Sequence, residues 1–265
     1  MINGKKIGVA LSGGASKGLC HIGVLDVLQK NGIIPDIIVG TSMGSIIAGL
    51  YACGVSPSEM ENRFLNFKYG SFLDINVFNI FRQGVIAGKK LQKILDTNTN
   101  GALIQNLKTK FACVACDIKT GKQYVFKAGK LSVAMRASCS MPGIFAPVKL
   151  NDMVLVDGGV VNNIPSDVAY NLGADYVISV DCIGNAFLTG QIKGVVDVLM
   201  SSFGTTQYLY EHARNNPANT KISITNKKFG FNEHSTRGIK RLINCGRAQA
   251  KKHINKIKAD LHIVN

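Results

Sequence analysis

The 265-residue sequence has no tryptophan, its aromatic content is 7%, and acids are scarce, sixteen Asp and Glu against thirty-one Lys and Arg. It has six prolines, and no Pro/Ser-rich linker, low-complexity tract or internal repeat divides it. Its 46% hydrophobic content is therefore expected to form a single domain over residues 1–265. No apolar run is long enough to span a bilayer, and the run Ile7 to Leu11 is too short for a signal-peptide core. The seven cysteines are odd in number and scattered, which points to a reduced, cytoplasmic chain. Cys113 and Cys116 have CxxC spacing, but a zinc site needs four ligands and only two are offered. No metal and no cofactor are expected.

The net charge of +15 calls for an anionic partner, either nucleic acid or a membrane surface. After residue 214 there are eleven Lys and Arg against two acids. With few aromatics to stack bases, this segment argues against single-stranded nucleic acid. Residues 237–260 carry Ile239, Leu242, Ile243, Gly246, Ala250, Ile254 and Ile257 at spacings of three and four, the pattern of a basic amphipathic helix. Its apolar face can dock on its own domain, leaving a solvated basic face, or lie on anionic lipid. No oligomeric state is read from the sequence.

Gly40-Thr41-Ser42-Met43-Gly44 lies between the β-branched run Asp36–Val39 and the apolar run Ser45–Ala52. This is a strand–turn–helix context for G-x-S-x-G, in which Ser42 is either an exposed nucleophile or the cap of a tight turn. Upstream, the strand Lys6–Leu11 runs into Ser12-Gly13-Gly14-Ala15-Ser16-Lys17-Gly18 and then a helical pattern through Leu28. The resulting βαβ unit favours a parallel sheet with helices on both faces. The loop fails the dinucleotide fingerprint at Ala15, and it fails the phosphate loop because Lys17 precedes Gly18. An oxyanion-binding row of backbone amides and a structural turn remain.

Further strands are expected at 111–116, 123–126, 154–156, 176–180 and 221–225, with helices at 89–97 and 132–138. Asp117 reads as a turn residue of the first hairpin. Residues 59–88 are aromatic-rich without clean periodicity, as core under a long loop, an apolar groove or a mobile lid over 64–88. A serine nucleophile needs a base. The five histidines are poorly placed, with His21 reading as packing or capping. Asp157 ends an apolar strand and is followed by Gly158 and Gly159. In a parallel arrangement, it and Ser42 would emerge together at the carboxyl edge of the sheet.

In this order, Gly13-Gly14-Ala15-Ser16-Lys17-Gly18, Gly40-Thr41-Ser42-Met43-Gly44 and Asp157-Gly158-Gly159 resemble the three signatures of the patatin-like phospholipase family, here of the bacterial kind. Supporting stretches are His21–Leu25, Arg136–Phe145 and Val160–Pro165, so the resemblance runs from Ile7 to about Val180. It implies a three-layer α/β/α sandwich with a mainly parallel sheet and a Ser42–Asp157 dyad without histidine. It also implies hydrolysis of a phospholipid or other acyl-ester lipid through an acyl-serine, with the amides around Gly13, Gly14 and Ala15 holding the oxyanion. Lys17 fits the family pattern. Ala15 departs from it, since the family often has a further glycine there and a methyl restricts positive φ. The implied protein is cytoplasmic and peripheral on the inner face of the membrane. The competing readings are a soluble carboxylesterase or thioesterase, and a lipid-binding regulatory protein of low turnover.

Overall fold

The computed structural model describes residues 1–72, 74, 86–184, 194–214, 216–224 and 233–263. The described strands are β1 (Ile7–Leu11), β2 (Ile37–Thr41), β3 (Lys110–Asp117), β4 (Lys122–Phe126), β5 (Val148–Leu150), β6 (Met153–Asp157), β7 (Tyr176–Asp181) and β8 (Thr220–Ser223). The α-helices are α1 (Cys20–Lys30), α2 (Met43–Ala52), α3 (Pro57–Leu65), α4 (Lys89–Asn98), α5 (Leu131–Ser138), α6 (Ser166–Asn171), α7 (Val195–Ala213) and α8 (Thr236–Asp260).

All eight strands join one sheet in the order β5-β6-β3-β2-β1-β7-β8, with β4 also paired to β3. The run from β3 through β2, β1 and β7 to β8 is parallel. β4, β5 and β6 are paired antiparallel, so the sheet is mixed. Successive strand residues face opposite sides, and the sequence uses both. Ile7, Val9, Leu11, Ile38, Phe111 and Cys113 join the larger core beneath α1, α2 and α8. Ala10, Ile37, Val39, Ala112 and Val114 face Val168 and Ala169 of α6. Strands buried on both faces explain why these runs are continuously apolar. Cys113 and Cys116, three apart on β3, point to opposite faces, and both thiols are buried and free.

The apolar stripe of α8 is buried, and the helix packs on α1. The two backbones touch: a Cβ on Gly246 would lie 1.9 Å from Cys20 O, and one on Gly23 would lie 1.9 Å from Ile243 O. Arg247 ties the helices together, with Nε donating to Asp26 Oδ2 at 2.8 Å and Nη2 donating to Glu61 of α3. This stripe therefore does not lie on lipid: its partner is α1. What α8 shows to solvent is basic, including Arg237, Lys240, Arg241, Lys251, Lys252 and Lys256.

Part of the stretch expected to be irregular is helical. Ser56 caps α3 by accepting from Glu59 N at 3.2 Å, and Pro57 occupies the first turn, where its missing N–H costs nothing. Phe64 packs against the core from α3. Residues 73 and 75–85, about half of the expected lid, lie outside the described residues. Asp117 closes the turn of the hairpin, as expected, accepting from Lys119 N, Thr120 Oγ1 and Val154 N at 3.3, 2.8 and 3.1 Å.

Candidate active site

The length of β3 sets the site. It has eight residues to the five of β2, and β2 is paired only as far as Thr41 opposite Val114. β4 lies along the other edge, from Cys113 to Asp117. β6 takes up the overhang on the β2 side, antiparallel, with Asp157 opposite Ala115. β2 and β6 therefore run toward each other along one edge of β3 and end opposite adjacent residues. Ser42 follows the last residue of β2, and Asp157 is the last residue of β6. The expected side-by-side exit from parallel strands is thus replaced by a head-on meeting. The physical reason is the overhang of β3, whose unpaired backbone groups recruit an antiparallel strand.

Ser42 Oγ donates to Asp157 Oδ2 at 2.6 Å, and both residues are buried, at 8% and 0% exposure. Ser42 sits at φ 53°, ψ −126°, a backbone geometry that non-glycine residues seldom adopt. Its side chain makes no capping bond to α2, so the hydroxyl is left to Asp157. The sharp turn needs the flanking glycines: a Cβ on Gly40 would fall 2.3 Å from Gly44 O, and one on Gly44 would fall 2.3 Å from Leu11 O. Two serines hold the turn from outside. Ser138 Oγ accepts from Ser42 N at 2.9 Å while donating to Val114 O at 2.6 Å, and Ser45 Oγ donates to Ser42 O at 2.6 Å. Thr41 Oγ1 donates to Asn162 O at 2.8 Å, linking β2 to the segment after β6.

Burial pushes the Asp157 carboxyl up to about 6, against the opposing pull of the Ser42 hydroxyl and the Gly159 amide. The Gly159 N–H donates to Oδ1 at 2.8 Å from the short 3-10 turn Gly158–Val160. Arg136, buried on α5, donates to Ser140 Oγ at 2.5 Å, while Ser140 O accepts from Asp157 N at 2.9 Å. Among the described residues, no histidine bonds either member of the pair. His21, also buried, donates from Nε2 to Ser12 O at 2.8 Å and so packs beneath the glycine-rich loop.

That loop turns through Gly14 at φ 151° into a 3-10 turn, Ala15–Leu19. Ala15 takes φ 48° despite its methyl, so the chain adopts the left-handed conformation there and does not avoid it. Gly13 N donates to Asn163 O at 3.2 Å, which removes it from the expected set of free donors. Among the described residues, the amides of Gly14 and Ala15 have no such acceptor. Lys17 is buried in the turn, its pKa lowered by desolvation, and Gly18 lies against Met43.

Gly14, Ala15 and Ser42 line one cleft with Met141, Ile183, Phe203, Gly204 and Gln207. The last three come from α7, and neither that helix nor Ser138 was expected as part of the site. A helical run of apolar residues from Val195 to Phe203 was the available signal for α7. Nothing in the sequence marks Gln207. The assembled site has a hydroxyl bonded to a carboxylate of raised proton affinity, beside two unengaged amides and an apolar wall. Such a set can remove a proton from the hydroxyl and receive developing negative charge on an acyl oxygen.

A family model described as patatin-like phospholipase matches residues 9–170. The chain is 34% identical over 189 residues to a patatin-like phospholipase domain-containing protein of Caenorhabditis elegans, covering 68% of this chain and 14% of that protein. It is 32% identical over 167 residues to an NTE family protein of Mycobacterium tuberculosis, covering 63% and 28%. It is 29% identical over 188 residues to lysophospholipase NTE1 of Meyerozyma guilliermondii, covering 68% and 13%. The matched segment thus spans less than a third of each of these relatives. Among solved structures, VipD from Legionella pneumophila superposes with a TM-score of 0.55 at 14% identity, covering 95% of this chain and 67% of that one. The type III effector ExoU superposes with a TM-score of 0.54 at 13% identity, covering 95% and 53%. These two share the fold.

Proposed function

The chain belongs to the patatin-like phospholipase family, and from that premise we propose that it hydrolyses acyl-ester lipids with Ser42 as nucleophile and Asp157 as base. The observation that carries the reading is the 2.6 Å hydrogen bond from Ser42 Oγ to a fully buried Asp157. In acylation, Asp157 takes the Ser42 proton as Oγ attacks the ester carbonyl carbon. The amides of Gly14 and Ala15 hold the oxyanion, and collapse expels the alcohol, which takes the proton back from Asp157. Water then repeats the sequence on the acyl-serine and releases a fatty acid. A carboxyl that titrates at about 6 suits both transfers, since a base near the working pH accepts and returns a proton readily. Each oxyanion donor of this kind contributes about 3–4 kcal/mol to the transition state. Met141, Ile183 and Phe203 give the cleft the apolar wall an acyl chain needs.

No described helix is long and apolar enough to cross a membrane, and on this reading the contact with lipid is peripheral. The exposed basic face of α8 is its electrostatic part. Purified protein should release fatty acid from phosphatidylglycerol-containing vesicles, and Ser42→Ala should abolish release. Release that survives Ser42→Ala would overturn the nucleophile. Vesicle binding should weaken with added salt and with loss of the anionic lipid; equal binding to neutral vesicles would remove α8 from the reading.

A further inference from the structure

Gln207 lines the cleft from α7 yet is only 6% exposed, and among the described residues nothing hydrogen-bonds its amide. An amide that lines a cleft and has no protein partner is free to bind what enters the cleft. Its position is narrow. The place a Cβ would occupy on Gly159 is 1.8 Å from Gln207 Nε2 and 3.1 Å from Asp157 Oδ1, so the two atoms lie within about 5 Å of each other. Asp157 takes its hydrogen bonds from Ser42 and Gly159 and not from Gln207, and two polar groups within that reach can share one bridging water. Any side chain at Gly159 would close that space.

We propose that Gln207 holds the hydrolytic water against Asp157 for deacylation, an inference that rests on the Ser42–Asp157 reading above. The water oxygen attacks the carbonyl carbon of acyl-Ser42 while one of its protons passes to Asp157. The bond from that carbon to Ser42 Oγ then breaks, Oγ recovers the proton from Asp157, and the fatty acid leaves. Acylation needs no water, so Gln207 serves the second half of the cycle only. Gln207 lies on α7, outside the segment 9–170 matched by the family model.

The test is pre-steady-state hydrolysis of p-nitrophenyl butyrate by the full chain and by Gln207→Met, which keeps the side chain's length. In Gln207→Met the burst of nitrophenol should keep its rate within about threefold while the steady-state rate falls by roughly a hundredfold, the cost of losing a positioned reactant. KM should fall with kcat, as expected when an acyl-enzyme accumulates. Labelling by a fluorophosphonate, which reports acylation alone, should be unchanged. Gln207→Glu supplies a second readout, since another carboxylate this close should move the acid limb of kcat/KM upward in pH. Burst and steady state falling together, or neither changing, would overturn the inference while leaving the dyad intact. An unlabelled wild type whose hydrolysis survives Ser42→Ala would instead overturn the reading beneath it.

Discussion

Asp157→Asn is expected to stabilise the protein while silencing it. The carboxyl is fully buried, and its pKa is raised from 3.8 to about 6, so folding works against its ionisation by roughly two pH units. At 1.36 kcal/mol per unit, the ionised carboxylate costs about 3 kcal/mol of stability well above pH 6. Asparagine removes that cost and keeps both contacts in neutral form: Oδ1 still accepts from Gly159 N, and Nδ2 donates to Ser42 Oγ. For a chain of this size, about 3 kcal/mol corresponds to a rise in Tm of roughly 6–12 °C at pH 8. The rise depends on pH. The folded state takes up the Asp157 proton at a higher pH than the unfolded state, so the wild type recovers stability as pH falls from about 6 toward 4. The gap between variant and wild type should therefore shrink through that window and vanish near pH 3.5. Scanning calorimetry at several pH values measures it directly. A variant no more stable than wild type at pH 8, or a gap that ignores pH, would refute the buried-charge argument.

Three more outcomes follow from the same geometry. The acid limb of kcat/KM should fall tenfold per pH unit below about 6, where Asp157 is protonated; a stopped-flow pH profile reads it. Ser138→Ala leaves Ser42 N and Val114 O without their shared hydroxyl and should cost roughly 1–3 kcal/mol by urea denaturation. Because the hydroxyl positions the turn and not the substrate, kcat should drop more than KM rises. Gly246→Ala forces a methyl toward Cys20 O at 1.9 Å and should destabilise by at least about 2 kcal/mol in the same assay, with esterase activity per folded molecule retained.

The strands β1, β2, β3 and β7 are legible as apolar runs because a sheet covered on both faces needs nearly every position apolar. The turn at Ser42 is legible because only glycines tolerate backbone within 2.3 Å on both flanks. Asp157 is legible as a strand-end carboxylate, but its direction of approach is not. That direction depends on how far β3 outruns β2, and the paired lengths of separate strands are not written in either one. Gly13 was grouped with the oxyanion donors because spacing does not reveal that Asn163 O, a hundred and fifty residues on, already engages its amide. Ser138 and Gln207 escape for a like reason: single polar residues on helices acquire meaning only through what tertiary packing sets beside them. The cap of α3 was legible in Ser56-Pro57-Ser58-Glu59, a start signal hidden by the aromatic stretch that follows.

The most direct measurement is to map, by peptide mass, where a fluorophosphonate attaches in the wild type, in Asp157→Asn and in five single His→Ala variants. A single adduct on Ser42, formed at the wild-type rate in every folded histidine variant and lost in Asp157→Asn, is the expected result. An adduct on any other residue, rapid labelling that persists in Asp157→Asn, or one histidine whose loss abolishes it with the fold intact, would contradict a serine activated by Asp157 alone.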